Sequence, residues 1–490
     1  MVEYPMPSVP DKYPVPSEMR PLCVDLDGTL IYSDSFFEAL VLLVRSNPLY
    51  VLLFPFLLLR GRAGFKQFVA NRVVFNAALL PYNEPFLDFL RKEHARGRSL
   101  VLATGSNYRL AKAVADNLEI FDKVLASDGQ VNLTGRLKAL RLEETFGPGG
   151  FDYAGNARID EWIWSRAHTA LVVNAPRALA ERVAAQKPGT IVFDRPPGSI
   201  REVLRLLRPH QWSKNLIVFV PVITSHEMLN PKILAASAWA FLAFCCAASA
   251  AYLINDLCDL DADRAHATKH RRPLASGTVP ILWAVCIVPL LIVLASLFAV
   301  QSTASFCLVL LVYFIVTLLY SLFIKSLLLV DVVCLSLLYT IRIIGGLEAT
   351  HITYSSWLLA FALFMFFSLA LVKRYSELYT IGDGEIPGAK GRGYLVGDMG
   401  QISMLGTASG LIAVLVLALY VNSTIVQTLY QSPMLLLLLC PLLLYWVGRI
   451  WVLAHRGLIH EDPILFAVHD RASYVVVALA GAIMAIANVF

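Results

Sequence analysis

The stretch Asn255-Asp256-Leu257-Cys258-Asp259-Leu260-Asp261-Ala262-Asp263 stands at the end of a long apolar run. Asp256, Asp259 and Asp263 are spaced i, i+3 and i+7, so on a helix they share one face, and Asp261 lies off it. Carboxylates at the edge of a membrane span are costly unless something neutralises them. Clustered oxygen ligands of this kind suit Mg²⁺ that bridges to phosphate. The stretch therefore predicts a catalytic and metal-binding site at the membrane surface.

Apolar runs surround this stretch over the second half of the chain. A helix needs roughly 20 apolar residues to span a bilayer. The runs that approach this length are residues 233–254, 281–300, 304–324, 327–347, 355–372, 402–421, 433–454 and 473–490. The shorter run 211–224, which contains Lys214 and Pro221, is interpreted as a ninth, broken span. Because 57% of the residues are hydrophobic and only 16% are charged, we expect a multi-pass membrane body behind a charged soluble head.

The basic residues predict which side of the membrane each loop faces. With a cytoplasmic head, the loops on the head's side are 255–280, 325–326, 373–401 and 455–472, and the opposite loops are 301–303, 348–354 and 422–432. The first set is rich in Lys and Arg and the second has none. This positive-inside pattern predicts a protein of the cytoplasmic membrane with its N-terminal domain in the cytoplasm. The basic residues form no continuous stripe, which argues against a nucleic-acid partner.

The head opens with the stretch PLCVDLDGTL at residues 21–30. It is an apolar strand that ends in two aspartates and a glycine turn, the place where open α/β sheets bind ligands. Asp25 and Asp27 can serve as a nucleophile and an acid/base for phosphoryl transfer. The apolar run 49–59 is too short to span a membrane. It is either a core helix of the head or a helix lying in the membrane face.

The DxDGT signature resembles the haloacid dehalogenase (HAD) superfamily over about residues 19–195. The resemblance implies a doubly wound α/β sheet with a helical cap at about 31–98 and an Mg²⁺-dependent phosphatase. The implied functional positions are Thr104 for phosphate, Lys138 for charge neutralisation, and Asp25, Asp27, Asn156 and Asp160 for the metal. Asn156 stands where the family has aspartate, and it offers a carbonyl ligand without charge. The head is interpreted as an active phosphatase, with a degenerate scaffold as the alternative.

The motif NDxxDxxxD at 255–263 is similar to the first aspartate-rich motif of the UbiA prenyltransferase superfamily, and the resemblance covers about residues 200–490. It implies an all-α bundle of nine transmembrane helices. The superfamily's second aspartate-rich motif is replaced here by Lys373-Arg374-Tyr375-Ser376-Glu377. Cations there can hold phosphate directly. Together with the segments 208–215 and 263–273, this replacement resembles the polyprenyl-phosphate phosphoribosyltransferases within the superfamily.

That resemblance implies a phosphoribosyl diphosphate donor and a polyprenyl phosphate acceptor, with Mg²⁺ stabilising the diphosphate that leaves. The residues expected to bind substrate in the membrane body are Lys214, Asn255, Lys269, Arg271, Lys325, Arg342, Lys373, Arg374 and Glu377. Arg342 lies deep in a span, where a lone arginine costs roughly 2.5 kcal/mol or more. It is either part of the site or a structural partner of Asp331 or Glu348.

The expected organisation is a tail at 1–18, a HAD-like domain at 19–195, a linker at 196–207 and a transferase at 208–490. We predict that the body makes a polyprenyl-phosphoryl 5-phosphoribose and that the head removes the 5-phosphate, for cell-envelope pentofuranose donors. The alternatives are a prenyltransferase that acts on an aromatic acceptor and, outside enzymes, a lipid-binding scaffold. No pattern in the sequence indicates an oligomeric state.

Overall fold

A computed structural model of the chain describes residues 19–59, 61–194, 200–266, 268–381, 393–459 and 462–489. The predicted tail at 1–18 and the linker residues 196–199 lie outside these ranges. The chain forms two units. The first contains the described residues up to Val203 together with Leu257–Trp283, and the second contains Leu204–Asp256 and the described residues from Ala284 onward.

A six-stranded parallel sheet forms the centre of the first unit. Its strands are β1 (Leu22–Val24), β2 (Leu100–Asn107), β3 (Lys123–Ser127), β4 (Asp152–Gly155), β5 (Ala170–Val173) and β6 (Ile191–Phe193). Their order is β3-β2-β1-β4-β5-β6, so β1 lies between β2 and β4. The chain order therefore reverses beside β1, which places the ligand site of such a sheet at the carboxyl ends of these three strands. The predicted doubly wound sheet is confirmed.

Helices cover the sheet of the first unit. They are α1 (Ser35–Ser46), α2 (Phe54–Leu59), α3 (Gly61–Ala70), α4 (Glu84–Ala95), α5 (Tyr108–Leu118), α6 (Gly135–Phe146), α7 (Glu161–Trp164) and α8 (Arg177–Gln186). Helix α4 buries Phe86 and Leu90 in the same core as β1. Helices α1 to α3 form a separate core around Leu43 and Phe65. Within the predicted cap at 31–98, the part that packs apart from the sheet is therefore α1 to α3.

From residue 200 onward the described chain is helical. The helices are α9 (Ile200–Leu206), α10 (Val220–Thr224), α11 (Pro231–Cys258), α12 (Leu260–Arg264), α13 (Ile281–Val300), α14 (Ala304–Leu322), α15 (Val330–Thr350), α16 (Ser356–Ile381), α17 (Met399–Val421), α18 (Thr424–Leu429), α19 (Leu439–His455), α20 (Pro463–His469) and α21 (Arg471–Val489). Short 3₁₀ turns precede several of them, at Pro209–Phe219, Val396–Asp398 and Pro433–Leu438 among others.

Eight of these segments are long and apolar enough to cross a membrane within the described residues, and they match the eight long spans predicted from the sequence. The predicted ninth span is not confirmed. Residues 209–224 form the 3₁₀ turn Pro209–Phe219 and the five-residue helix α10, which is far less than the roughly 20 residues of a span. Pro209 and Pro221 each occupy a first-turn position of its helix, so the segment restarts rather than continuing as one helix.

Glycines on α15 allow its neighbours in the second unit to approach closely. A Cβ atom on Gly346 would lie 2.2 Å from the Val218 carbonyl oxygen, and one on Gly345 would lie 2.6 Å from the Phe244 ring. Small residues at membrane helix contacts serve this purpose because backbone and bulky side chains can then pack together. Gly346 thereby brings the 3₁₀ turn Pro209–Phe219 against the middle of α15.

Candidate functional site

The first candidate site lies where β1 ends. Asp25 Oδ1 is 3.0 Å from Lys138 Nζ, and Asp27 Oδ1 accepts a 2.7 Å hydrogen bond from the backbone N–H of Ser35. Ser35 begins α1, whose N-cap is Asp34. The two predicted catalytic carboxylates are thus fixed by different elements, one by α6 and the other by the first turn of the cap.

Burial gives the two carboxylates different acidities. Burial raises the pKa of Asp25 to about 6, and the Lys138 ammonium opposes this rise. Burial also raises the pKa of Asp27 to about 8, and the nearby Asp34 carboxylate adds to the rise. Burial therefore favours the protonated form more strongly at Asp27 than at Asp25. This division suits a nucleophile beside a general acid.

The end of β2 forms a second wall of this site. Thr104 is fully buried, and its hydroxyl accepts a hydrogen bond of 3.0 Å from the Ser106 N–H. Lys66 of α3 donates to the Gly105 carbonyl at 2.7 Å and to Asn132 at 3.2 Å. The cap helix α3 is therefore bound directly to β2, the strand that carries the predicted phosphate-binding threonine.

Lys138 is held by a chain of hydrogen bonds that sequence patterns did not indicate. Its ammonium donates to the Tyr153 hydroxyl at 2.9 Å, which donates to Asp160 Oδ1 at 3.1 Å. Asp160 Oδ2 accepts from the backbone N–H groups of Asn156 and Ala157, each at 3.0 Å. Both oxygens of Asp160 thus bind the protein itself. This arrangement favours a positioning role for Asp160, and its assignment as a metal ligand stays a prediction.

Asn156 packs against the catalytic turn. Gly28 has a φ of +73°, and a Cβ atom there would lie 2.1 Å from Asn156 Nδ2, so only glycine fits. Among the described residues, no group of three or more His, Cys, Asp or Glu side chains could hold a metal ion. Mg²⁺ is commonly bound by one or two carboxylates, with water and phosphate oxygens completing the shell. Asp25 and Asp27, with the Asn156 amide, fit that donor chemistry.

The aspartates of the stretch at 255–263 do not lie on one continuous helix, which corrects the prediction of a single face. Helix α11 ends at Cys258, and Asp259 (φ −95°, ψ 12°) is the N-cap of α12. Asp256 belongs to the second unit, whereas Asp259 and Asp263 belong to the first. The break arises where the apolar run ends and the chain becomes polar.

The two buried aspartates of this stretch each have an arginine partner. In the second unit, Arg208 Nη2 lies 2.5 Å from Asp256 Oδ1. In the first unit, Arg272 Nη1 lies 2.6 Å from Asp263 Oδ2. The side chains of Asp256 and Asp263 are 7% and 5% exposed, so these arginines provide the neutralisation that buried carboxylates require.

Four other residues that were predicted to bind substrate are less buried than these two aspartates. Asn255 is half-buried, and Lys269 and Arg271 are exposed in the 3₁₀ turn Lys269–Arg271. Lys325 is half-buried in the turn Ile324–Ser326. Their roles in binding substrate stay predictions.

Two predicted cations of the second unit converge on one carboxylate. Lys214 Nζ lies 2.7 Å from Asp462 Oδ2, and Lys373 Nζ lies 3.4 Å from the same oxygen. Burial alone would raise the pKa of Asp462, but the two ammonium groups outweigh it and lower the pKa to about 2. Asp462 was not among the predicted site residues, because nothing local in the sequence shows that it meets a lysine 248 positions away.

Arg374 is committed to the protein's own interior. Its side chain is 1% exposed and contacts Asp331 and Glu377, each at 2.5 Å, and the Tyr320 hydroxyl at 2.8 Å. The Tyr394 hydroxyl also donates to Asp331. We therefore assign Arg374 a structural role, in place of the predicted phosphate contact. Glu377 is less buried, and its substrate role stays a prediction.

Arg342 makes neither of the ion pairs considered from the sequence. Its guanidinium donates to Asn215 Oδ1 at 2.8 Å, to the Tyr313 hydroxyl at 2.9 Å and to the Leu338 carbonyl. Asp331 is instead bound by Arg374, and Glu348 accepts from Tyr354. Because Asn215 follows Lys214 directly, Arg342 fixes the segment that presents this lysine.

Comparison with known proteins supports both halves of this description. The sequence profile of the UbiA prenyltransferase family matches residues 217–457, and that of the haloacid dehalogenase-like hydrolases matches residues 22–163. The chain is 35% identical over 465 residues to uncharacterized protein y4nM of Sinorhizobium fredii, which covers 94% of this chain and 89% of that protein.

Two further relatives match smaller portions of the chain. Nodulation protein NoeC of Azorhizobium caulinodans is 34% identical over 272 residues, which is 55% of this chain and 87% of NoeC. The decaprenyl-phosphate phosphoribosyltransferase of Mycolicibacterium smegmatis is 36% identical over 187 residues, which is 37% of this chain and 59% of that enzyme. The match to the Mycolicibacterium smegmatis enzyme thus covers about three fifths of that enzyme's length.

Proposed function

The chain is an integral membrane member of the UbiA prenyltransferase family with a haloacid dehalogenase-like hydrolase domain ahead of its membrane helices, and on this premise we propose that it transfers 5-phosphoribose from phosphoribosyl diphosphate to a polyprenyl phosphate. The similarity to a decaprenyl-phosphate phosphoribosyltransferase supports this proposal. The observation that carries it is the convergence of Lys214 and Lys373 on one carboxylate oxygen.

Two ammonium groups that converge on one acidic oxygen can converge equally on a phosphate oxygen. Lysine acts as a compact point charge towards phosphate, and both ammonium groups contact the same acceptor oxygen. A polyprenyl phosphate brings an anion of this kind. The aromatic acceptor of a prenyltransferase offers none at its reacting carbon, so the lysine pair favours the phosphorylated lipid.

In the proposed transfer, the bond between C1 of the ribose and the diphosphate oxygen breaks, and an oxygen of the lipid phosphate forms the new bond to C1. Mg²⁺ commonly takes one or two carboxylate ligands and completes its shell with phosphate and water oxygens, and Asp256, Asp259 and Asp263 are the residues that would supply these carboxylates; the ion would stabilise charge on the leaving diphosphate. Their carboxylate oxygens are the ligands that this ion prefers. Arg208 and Arg272 orient two of the carboxylates, and Lys214 and Lys373 orient the acceptor phosphate.

We propose that the hydrolase domain then removes the 5-phosphate of the lipid product. The Asp25 carboxylate would attack the phosphorus, and the Asp27 carboxyl would donate a proton to the leaving ribose oxygen. Water would then release phosphate from Asp25 while Asp27 acts as the base. Joining both steps in one chain keeps the lipid intermediate at a high local concentration.

The remaining organisation is proposed from the loop charges. The hydrolase domain at 19–195 and the polar segment at 255–280 would face the cytoplasm, because the basic loops lie on that side. The membrane is then a bacterial-type cytoplasmic membrane, and the product would serve as a pentofuranose donor for envelope glycans.

A donor competition assay tests the transfer. The full-length protein in lipid nanodiscs is given polyprenyl phosphate with labelled phosphoribosyl diphosphate, or an aromatic acid with labelled geranyl diphosphate. We expect labelled lipid only in the first reaction, and its loss in Asp256→Asn. Asp261→Asn, which changes a neighbouring aspartate of the same stretch, should retain turnover. Prenylated aromatic product would refute the proposal.

A second assay separates the two domains. The wild-type protein should convert the phosphorylated lipid into a form without the 5-phosphate and release inorganic phosphate. Asp25→Asn should accumulate the phosphorylated lipid, and the exposed control Asp88→Asn should behave as wild type. If the wild type itself stops at the phosphorylated lipid, the phosphatase step is wrong while the transfer stands.

A further inference from the structure

An apolar segment of the hydrolase domain is uncovered by protein within the described part of the chain. It comprises the 3₁₀ turn Pro48–Leu53 and helix α2, Phe54–Leu59. Leu57 alone of these twelve residues is buried, so the segment is not a core helix. The side chains that are more than half exposed are Leu49, Leu52, Phe56, Leu58 and Leu59, with values from 59% to 85%.

Such a patch requires an explanation because soluble surfaces rarely expose contiguous large apolar side chains unless they bind something. Leu57 anchors the segment in the cap core beside Phe65, and the two prolines at 48 and 55 restrict its backbone. The segment is therefore held in place with its apolar side chains directed outward.

The charge around the segment identifies its partner. Residues 39–83 contain no Asp or Glu, but they contain four Arg and one Lys. Arg45 and Arg62 are exposed on the helices that flank the segment, and Arg72 is exposed in the turn after α3. An apolar surface with cations on the adjoining residues fits the interface of an anionic bilayer, where side chains enter the acyl boundary and arginines meet lipid phosphates.

We propose that residues 48–59 insert into the surface of an anionic lipid bilayer and thereby dock the hydrolase cap on the membrane. The inference deepens the proposed function, on which its consequence for catalysis rests. Helix α1 runs from Ser35, which binds Asp27, to the start of the segment. Its 12 residues span about 18 Å, so the inserted end lies within one helix length of the catalytic carboxylates.

Docking of this kind defines the class of substrate that the hydrolase domain accepts. A phosphomonoester carried on a lipid would be presented at the membrane surface, on the side of the domain that carries α1 and α3. Helix α3 reaches the same catalytic end through the contact of Lys66 with the Gly105 carbonyl. Both helices that flank the segment therefore contact residues of the phosphate site, α1 through Ser35 and α3 through Lys66.

Photo-crosslinking of the full-length protein tests the insertion without relying on activity. p-Benzoylphenylalanine replaces Phe56 in one protein and Trp162, an exposed aromatic residue of the same unit, in the control. In vesicles that contain phosphatidylglycerol, we expect lipid adducts at position 56 to exceed those at position 162 about fivefold, and to fall about threefold in purely zwitterionic vesicles. Equal yields at the two positions, or adducts to protein instead of lipid, would overturn the proposal.

Activity measurements then test the consequence for the substrate. Leu52→Glu/Phe56→Glu should lower phosphate release from the vesicle-borne lipid about tenfold and leave hydrolysis of soluble p-nitrophenyl phosphate unchanged. Val131→Glu/Val192→Glu, at exposed apolar positions away from the segment, should change neither rate. An equal loss on both substrates would contradict docking. A wild type that crosslinks to lipid but hydrolyses only the soluble ester would refute the proposed substrate and leave the docking intact.

Discussion

Replacement of Asp462 by asparagine removes the one carboxylate that Lys214 and Lys373 share. Its pKa is lowered from 3.8 to about 2, and this difference corresponds to roughly 2.5 kcal/mol of stabilisation by the charged form. The variant also leaves the buried Lys214 ammonium and the partly buried Lys373 ammonium without this shared carboxylate, and removal of one member of a fully buried ion pair costs about 3–5 kcal/mol. We therefore expect Asp462→Asn to lose about 2–4 kcal/mol of unfolding free energy at pH 7.

The pH dependence of this loss follows from the direction of the shift. The folded-state pKa of Asp462 lies below the unfolded value, because the lysine charges favour the carboxylate. The stabilisation is then fully present above about pH 4 and disappears as the pH falls through the folded pKa. The difference between wild type and variant should hence be constant from pH 7 to about pH 4 and narrow towards pH 2.

The assay is denaturation in mixed micelles, with the unfolding free energies of both proteins compared at each pH. Glu227→Gln is the matched control, since that carboxylate accepts only a 3.3 Å hydrogen bond from Asn230. The reasoning is refuted if Asp462→Asn matches wild type within about 0.5 kcal/mol at pH 7. It is also refuted if the difference between the two proteins widens on acidification.

Three further outcomes are expected. Lys138→Met leaves buried Asp25 without its counter-ion, so the hydrolase domain should lose about 3 kcal/mol and release no phosphate from p-nitrophenyl phosphate; unchanged turnover would contradict this. Gly28→Ala forces a Cβ atom to 2.1 Å from the Asn156 amide at a positive φ, so phosphate release should fall about tenfold or more while lipid labelling by the transferase persists. Arg342→Lys keeps the charge but cannot satisfy all three acceptors, so thermal unfolding in detergent should show a loss of about 1–3 kcal/mol; a wild-type transition would refute the assigned contacts.

The sequence was most informative where a pattern is local. The strand before Asp25 and the eight long apolar runs each carry their signal within a few residues of themselves, and the structure confirms the sheet and the spans. Strand β3 has a weak sequence signal because KVLAS is short and only its last residue, Ser127, is fully buried. The ninth span predicted at 211–224 was not confirmed, because apolar composition alone does not show that the backbone forms a 3₁₀ turn.

Side-chain partners far apart in the sequence were not predictable. Tyr153, Arg208 and Asp462 each complete a site through a contact that only the folded chain creates. Arg374 is the opposite case. The sequence predicted that both Lys373 and Arg374 bind phosphate, but in the structure Arg374 contacts Asp331 and Glu377. Residue type shows which chemistry a side chain can perform. Its contacts in the folded chain decide whether it binds substrate or stabilises the fold.

The neighbouring cations of α16 divide these tasks between them. Consecutive residues of a helix project about 100° apart, so Lys373 and Arg374 necessarily face different partners. Arg374 of α16 forms an ion pair with Asp331 of α15, and sliding of one helix past the other would break that contact. A substitution at position 373 would therefore leave this contact intact, whereas one at position 374 would remove it.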